Sequence, residues 1–155
     1  MVWWDDTVWF YSIKDEEHGY LSNFAHFPIE LDGRTWPTTE HYFQAQKFAG
    51  TPHEHAIRKA ETPGKAARMG RSRKRPLRQD WEAVKEDVMR KALIAKFSQH
   101  AELREKLLST GSAKLVEHTT NDSYWADGGD GSGLNRLGIL LMEIRSQLQS
   151  EQEEQ

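Results

Sequence analysis

Residues 28–50 have the sequence PIELDGRTWPTTEHYFQAQKFAG, which indicates both β-structure and a helix. Two short β-type runs, 27–31 and 34–36, flank Asp32-Gly33. Because Asp-Gly accepts the positive φ angles of a tight type I′ turn, these runs are predicted to form a β-hairpin. The residues that follow the hairpin have helical periodicity, so strands and helices are expected to mix in one chain.

A helix is predicted directly after the hairpin. Thr38 follows Pro37 and is expected to be the N-cap, because a threonine oxygen at this position accepts a hydrogen bond from a backbone N–H of the first turn. The helix is expected to run to about Ala49, before Gly50, a residue type suited to helix ends.

In most of the rest of the chain, hydrophobic residues recur with the periodicity of a helix. Secondary structure is predicted for six further segments, namely helices over 62–69, 81–98, 101–108 and 134–149 and strands over 8–13 and 113–118. This pattern predicts an α+β fold, a single compact domain over residues 8–149 that is mostly helical with a small β-sheet. Residues 1–7 and 150–155 are expected to be terminal extensions, of which the acidic SEQEEQ is expected to fray.

The composition is that of an ordinary globular protein. The 155 residues suffice to bury one core, and the absence of cysteine excludes disulfides, thiolate metal sites and a cysteine nucleophile. The first twelve residues contain neither a basic region nor a long apolar region, so no secretory signal is expected. The longest apolar run, 138–142, is far shorter than the roughly 20 residues that span a bilayer. A cytoplasmic protein is therefore predicted, and a net charge of −3 argues against a nucleic-acid-binding surface over the whole domain.

Three polar residues of the predicted first helix share one face. At about 100° per residue, Glu40, Gln44 and Lys47 fall within about 60° of arc, whereas Tyr42 and Phe48 lie on the opposite, apolar side. One interpretation is a solvated helix face. The other is a rigid platform that holds a carboxylate, an amide and an amine together for catalysis. Glu40 and Lys47 are too far apart in sequence for a surface ion pair at i,i+4, which favours the second interpretation.

A basic segment lies between residues 62 and 79, which contain no Asp or Glu. Its seven cations are Lys65, Arg68, Arg71, Arg73, Lys74, Arg75 and Arg78. Arg68 and Arg71 lie about one helical turn apart beside Gly70, a spacing that suits a bidentate clamp on phosphate. A solvated basic face is the alternative, and a nucleic-acid patch is disfavoured because no aromatic residues interleave with the cations.

A glycine-rich loop precedes the last predicted helix, in YWADGGDGSGLNRLG, residues 124–138. Its glycines allow the backbone to approach a ligand closely, and Asp127 stands at the loop entrance. Asn135 and Arg136 are expected at the start of the helix, where backbone N–H groups favour anions. The spacing matches neither a dinucleotide-binding fingerprint nor an EF-hand loop. A plain connecting loop with a helix cap is the alternative.

Trp81 begins the longest predicted helix, after Asp80, its expected cap. Its place on the apolar stripe favours a core residue, although its ring is also suited to stacking on a base. The seven histidines do not recur at metal-ligand spacing, and His53 and His55 fall in a predicted loop, so no metal site is expected.

Four stretches of the sequence together resemble the NADAR, or YbiA-like, family. They are LSNFAHFPIELDGRTWPTTEHYFQAQKF from residue 21, AARMGR from residue 66, RQDWEAVKEDVMRKAL from residue 78 and AKLVEHTTNDSYWADGGDGSGLNRLGILLMEIR from residue 113. The resemblance is collinear and extends from Phe10 to Leu148.

This resemblance implies an N-glycosidase with the fold of the family. Bacterial members act on early, reactive intermediates of riboflavin biosynthesis, pyrimidines that carry a ribosylamino 5′-phosphate, and split the base from ribose 5-phosphate. Other members remove ADP-ribose from guanine bases in nucleic acid. A catalytically silent module that binds nucleotides or ADP-ribose is a further alternative. The expected partner is thus a small phosphorylated ribosylaminopyrimidine, with an ADP-ribosylated guanine nucleotide or nucleic acid as the alternative. The protein is expected to act as a monomer, to bind no membrane and to need no cofactor.

The resemblance implies functional roles for Glu40, Lys47, Trp81 and Asp127. The predicted catalytic residues are Glu40, Lys47 and Asp127. The predicted substrate-binding residues are Asn23, Phe24, Gln44, Arg68, Arg71, Trp81, Trp125, Asn135 and Arg136.

Two chemical routes fit the predicted catalytic residues. In the first, Glu40 and Asp127 form a carboxylate pair that stabilises the positive charge which builds at the anomeric carbon. In the second, the Lys47 amine attacks the ring-opened C1′ and forms a Schiff base that water hydrolyses. The sequence leaves both routes open and slightly favours the Schiff-base route through Lys47.

Overall fold

The structure, a computed structural model, describes residues 6–154 and confirms an α+β architecture. Its elements run in the order β1 (Thr7–Phe10), β2 (Ile29–Leu31), β3 (Arg34–Trp36), α1 (Thr39–Gln46), α2 (Pro52–Arg58), α3 (Pro63–Arg71), α4 (Trp81–Gln99), α5 (Ala101–Ser109), β4 (Lys114–Glu117) and α6 (Arg136–Glu153). A short 3-10 helix, Gly19–Leu21, lies between β1 and β2. Within the described residues, no helix is long and apolar enough to cross a bilayer.

Over residues 6–154, the β-structure consists of two separate two-stranded sheets, where the sequence predicts one small sheet. Strand β1 pairs in parallel with β4, with Thr7 opposite Lys114. This pairing joins strands from opposite ends of the chain, which no local pattern signals. Strands β2 and β3 form the predicted antiparallel hairpin. Its turn residues, Asp32 and Gly33, have φ angles of 55° and 76°, and this confirms the conformation that a type I′ turn requires.

The described chain forms two compact units, each with buried apolar residues. In the unit His26–Gln99, the core includes Trp36, Tyr42 and Phe48, all nearly inaccessible. Trp36 stands edge-on to Tyr42 at 5.0 Å between ring centroids. In the unit formed by residues 6–25 and 100–154, the fully buried residues include Phe10, Leu103, Leu107, Leu115, Leu137 and Leu141.

Helix α1 packs against α2, α3 and α4, and every one of its residues is buried. Thr38 is its N-cap, as predicted, since Thr38 Oγ1 accepts a hydrogen bond from the His41 N–H at 3.1 Å. The helix ends at Gln46, earlier than predicted, and Lys47 is its C-cap. Gly50 has a φ of 81°, so it takes the left-handed conformation expected of a residue after a helix.

Helix α2 is absent from the predicted elements, and the placement of His53 and His55 in a loop is therefore wrong. The start of the helix has ordinary signals, because Thr51 caps the His53 N–H and Pro52 occupies the first position. The helix has seven residues, of which only Ile57 is buried, so hydrophobic periodicity gives almost no signal.

Regular elements reach into both predicted terminal extensions. Helix α6 begins after Leu134, which is exposed, and continues to Glu153, and fraying of the acidic end stays a prediction. Thr7 belongs to β1. Residues 1–5 and 155, which the sequence assigns to the extensions, lie outside the described part of the chain.

Candidate active site

The polar stripe of α1 is buried. Glu40, Gln44 and Lys47 are 9%, 6% and 7% exposed, so the interpretation of a solvated helix face is wrong. Gln44 Nε2 donates a hydrogen bond of 2.7 Å to Glu40 Oε2. The stripe therefore places a carboxylate, an amide and an amine in a desolvated setting, where charged groups interact more strongly than in water.

Aromatic rings surround the amine of Lys47. Its Nζ lies 5.7 Å from the ring centroid of Phe43 and 5.8 Å from that of Trp81. These two rings meet edge-on at 5.1 Å, and Trp81 is only 5% exposed. Trp81 is thus a core residue, as its position on the apolar stripe predicts, and it also borders the Lys47 amine. Stacking of its ring on a substrate base stays a prediction.

The charge state of Lys47 is strongly altered by this environment. The pKa of Lys47 is lowered to about 8, mainly by burial. The cations Arg73 and Arg71 contribute to this lowering, whereas the carboxylates Glu40 and Glu82 oppose it. A substantial fraction of the amine is therefore neutral close to physiological pH, as a nucleophilic lysine requires.

Gly70 of α3 packs directly on the stripe. A Cβ atom at this position would collide with the Gln44 side chain, whose Oε1 is the closest atom. Helix α3 runs through Gly70 to Arg71, although the sequence predicts that it ends before the glycine. The glycine thus serves the close approach of two helices, and Gln44 is held between Gly70 and the carboxylate of Glu40.

The basic segment places cations beside Lys47. Arg68 and Arg71, the predicted phosphate clamp, are both exposed on α3. Arg73 lies just beyond this helix, where its Nη1 donates a hydrogen bond of 3.0 Å to the Gly70 carbonyl. Because the pKa of Lys47 is lowered by both Arg71 and Arg73, Arg73 belongs to this group of residues. The sequence does not single it out among seven cations.

Asp127 belongs to the other unit, where it is buried at the start of the glycine-rich loop. Its Oδ1 accepts hydrogen bonds from the backbone N–H groups of Thr119 and Gly129, at 3.1 and 2.8 Å. Its Oδ2 lies 2.7 Å from Nδ1 of His118. Burial acts to raise the pKa of Asp127, but the hydrogen bonds from His118 and from the backbone hold it below its ordinary value. Asp127 is therefore a fixed carboxylate in its charged form.

Asn135 supports the local structure of the same unit. Its Oδ1 accepts from the Glu117 N–H at 3.1 Å, and its Nδ2 donates to the Leu115 carbonyl at 2.9 Å. It is the N-cap residue of α6, with a φ of 51°, so the helix begins two residues later than the predicted start at Leu134. The side-chain amide thus ties β4 to the start of α6.

Four further residues predicted to bind substrate lie in this unit. Trp125 is half-buried and stands edge-on to Tyr124 at 4.9 Å, and Arg136 is the first residue of α6. Asn23 is buried, whereas Phe24 is exposed. Contact of Asn23, Phe24, Trp125 and Arg136 with substrate stays a prediction. Within residues 6–154, no group of three or more His, Asp or Glu side chains is arranged to hold a metal ion.

Comparison with known proteins assigns the family. The NADAR domain model matches residues 9–149. N-glycosidase YbiA of Escherichia coli (strain K12) is 62% identical over 144 residues, which cover 93% of this chain and 89% of that protein. Riboflavin biosynthesis protein VVA0006 of Vibrio vulnificus (strain YJ016) is 41% identical over 145 residues, which cover 94% of this chain and 39% of that protein.

A solved structure agrees with the sequence comparison. The NMR structure of the E. coli protein YbiA matches with a TM-score of 0.90 and 60% sequence identity, over 99% of this chain and 91% of that chain. The motifs around α1 and the glycine-rich loop, which carry the resemblance, both lie inside the matched region. The chain therefore belongs to the NADAR family.

Proposed function

We propose that this chain is an N-glycosidase that hydrolyses the bond between ribose 5-phosphate and the aminopyrimidine base of early, reactive riboflavin-biosynthesis intermediates. The names of its relatives support this activity, since one is an N-glycosidase and another is a riboflavin biosynthesis protein. The observation that carries the chemistry is the buried Lys47 amine, which shares the α1 stripe with Glu40. Action as a cytoplasmic monomer, without a cofactor, stays a prediction from the sequence.

The stripe of α1 supports a covalent route. Ring opening of a ribosylamine leaves an imine carbon at C1′, which the neutral amine of Lys47 attacks. The C1′ bond to the base nitrogen then breaks, the electron pair and a proton go to the departing base, and a Schiff base joins Lys47 to the sugar. Water hydrolyses this Schiff base, which releases ribose 5-phosphate and regenerates the amine. Glu40 stabilises the positive charge of these intermediates and exchanges protons with Lys47.

The alternative is direct attack of water on C1′, with Glu40 stabilising the positive charge. This route has no need of a neutral Lys47 amine, whereas the covalent route requires one. The lowered pKa of Lys47 therefore supports the covalent route.

Release of free base tests the proposal. The purified protein is incubated with a ribosylaminopyrimidine 5′-phosphate and, separately, with an oligonucleotide that carries ADP-ribosylated guanine, and the released base is quantified by chromatography. We expect turnover of the first substrate. Release from the ADP-ribosylated guanine alone would replace the proposed substrate, and binding of either compound without release would identify a binding module.

Removal of the predicted phosphate clamp should weaken binding of the phosphorylated substrate. Arg68→Gln and Arg71→Gln are each expected to raise KM roughly tenfold, because each removes a charge-assisted hydrogen bond to phosphate. The KM of the dephosphorylated nucleoside should hardly change. Steady-state kinetics above pH 9, where Lys47 is neutral, measures this effect, with Lys74→Gln as an exposed control in the same segment. Equal losses on both substrates would show that these arginines support the fold instead.

Trp81→Phe tests the aromatic wall beside Lys47. The smaller ring leaves a cavity, so the free energy of unfolding should fall by about 1–2 kcal/mol. Water that enters this cavity should raise the pKa of Lys47, so kcat/KM should fall several-fold at pH 7 and recover at high pH. Thermal unfolding and pH–rate profiles measure both effects, with Phe97→Leu as a buried control in the same helix. A higher KM at every pH would show stacking on the base, whereas lower stability with wild-type kinetics would make Trp81 a core residue only.

A further inference from the structure

Gln44 is a buried carboxamide with only one of its two ends hydrogen-bonded. Its Nε2 donates to Glu40 Oε2 at 2.7 Å. Its Oε1 is buried as well, but it accepts no hydrogen bond from any group in residues 6–154. A buried amide oxygen without a donor costs free energy of folding, which an apolar side chain of the same length would avoid. Packing therefore does not explain a glutamine at this position, whereas its contact with Glu40 does.

Helix α3 confines the Gln44 side chain. A Cβ atom at Gly70 would lie 2.7 Å from Cδ and 2.9 Å from Cβ of Gln44, and closer still to Oε1, so the two helices leave no space between them here. A carboxylate accepts hydrogen bonds and only the NH2 group of a carboxamide donates them, so Nε2 faces Glu40 and Oε1 faces Gly70. Because α3 covers Oε1, this oxygen is closed to a substrate, and the amide holds the Glu40 carboxylate from one fixed direction.

We propose that Gln44 is a positioning residue, which fixes the carboxylate of Glu40 for its role at C1′ without touching the substrate. The proposal rests on the proposed N-glycosidase activity. A carboxylate that is already oriented stabilises developing positive charge without having to turn as the reaction proceeds. In this role Gln44 acts through Glu40, whereas the sequence predicts a direct contact of Gln44 with substrate.

The same helix offers a matched control. Gln46 is 7% exposed, and its Nε2 donates to Glu54 Oε2 at 2.8 Å. At about 100° per residue, Gln46 lies about 200° from Gln44 around α1, so its carboxylate partner is not on the stripe. Gln44→Met and Gln46→Met each remove an amide donor to a carboxylate and keep an unbranched side chain of similar length. Only the first of them releases Glu40.

The test measures kcat, KM and Tm of both variants on the ribosylaminopyrimidine 5′-phosphate. Rates are taken above pH 9, where Lys47, with a pKa of about 8, is neutral in all proteins. Gln44→Met is expected to lower kcat about tenfold with an unchanged KM, since a catalytic group that loses its orientation costs rate and not binding. Gln46→Met should keep kcat within about twofold of the wild type. The loss of Tm should be small and similar in both variants.

A second measurement separates action through Glu40 from direct contact with substrate. In a Glu40→Gln background, a residue that only positions the carboxylate has nothing left to position. Gln44→Met should therefore lower kcat less than about twofold in this background, against about tenfold in the wild type. Single-turnover release of base gives the rates of all four proteins in this cycle.

Each other outcome overturns the positioning role in a recognisable way. A higher KM, or an equal loss of kcat in the Glu40→Gln background, would make Gln44 a substrate-binding residue. A fall in Tm well beyond that of Gln46→Met, or a loss of kcat that Gln46→Met shares, would make the amide structural. Gln44→Met with wild-type kcat would remove Gln44 from the mechanism and leave the N-glycosidase activity intact. A wild-type protein that releases no base would overturn the proposed function and this role with it.

Discussion

Lys47→Met is expected to lower kcat by roughly 10³-fold or more, since removal of a covalent nucleophile costs up to about 10⁶-fold in other hydrolases. The fold should survive because methionine keeps an unbranched apolar chain beside the rings of Phe43 and Trp81. Single-turnover release of base measures the effect, and thermal unfolding provides the control for folding. A variant that keeps more than about a hundredth of the wild-type kcat would remove Lys47 from the covalent step.

The pH dependence of the wild-type enzyme tests the same residue without mutation. The reactive amine is the neutral form, which predominates above its pKa, and the pKa of Lys47 is about 8. The value of kcat/KM should therefore rise about tenfold per pH unit below about pH 8 and level off above it. A lysine that acts as a cation would give the opposite profile, with activity lost as the pH rises through this value.

Arg73→Gln should move this profile. Arg73 is the cation with the largest lowering effect on the pKa of Lys47, so its removal raises that pKa. The rising limb should shift to higher pH, with an unchanged plateau. Lys74→Gln, in the same segment, should leave the limb in place. A profile that does not shift in Arg73→Gln would assign the limb to another group.

Borohydride provides a direct chemical test of the Schiff base. Reduction during turnover should convert it to a stable secondary amine on Lys47, visible as a mass shift on the peptide that contains this residue. The Lys47→Met protein should show no adduct. An active wild-type enzyme that is never trapped would favour direct attack of water.

The sequence predicted those features that local chemistry determines. The hairpin depends on the φ preferences of Asp32-Gly33, and the cap of α1 depends on the side-chain oxygen of Thr38, so each is visible within a few residues. The angular grouping of Glu40, Gln44 and Lys47 likewise follows from helix geometry alone.

Burial of the same residues was not predictable. A polar stripe on a short helix has the same periodicity whether it faces water or other helices, and α1 is covered by packing that involves distant segments. Lys96 of α4 is another example, since it is 1% exposed with its Nζ 5.4 Å from the ring of Phe97. Burial lowers the pKa of Lys96 to about 7, although its helix position alone shows nothing unusual.

The contacts of Arg73 and His118 depend on tertiary structure in the same way. Arg73 is one of seven cations in its segment, and its distinction comes from a hydrogen bond to Gly70 and its closeness to Lys47. His118 is distinguished by the fold of the loop that returns Asp127 to it. Hydrophobic periodicity and turn preferences carry no information about either contact.

Glu40→Gln is expected to lower kcat at least about 10²-fold with little change in KM, because the carboxylate acts on charge that exists only along the reaction path. The fold should be retained, since the new carboxamide can still present an oxygen to Gln44 Nε2, which donates to Glu40 in the wild type. The pKa of Lys47 cannot explain such a loss, because Glu40 raises that pKa and its removal leaves more neutral amine at pH 7.

Glu82→Gln is the matched control, because Glu82 also raises the pKa of Lys47 but is exposed. The two variants should both move the rising limb of kcat/KM to lower pH, and Glu40→Gln alone should lose the plateau. A Glu40→Gln protein that keeps more than about a tenth of the wild-type kcat would show that Lys47 does not need this carboxylate for catalysis.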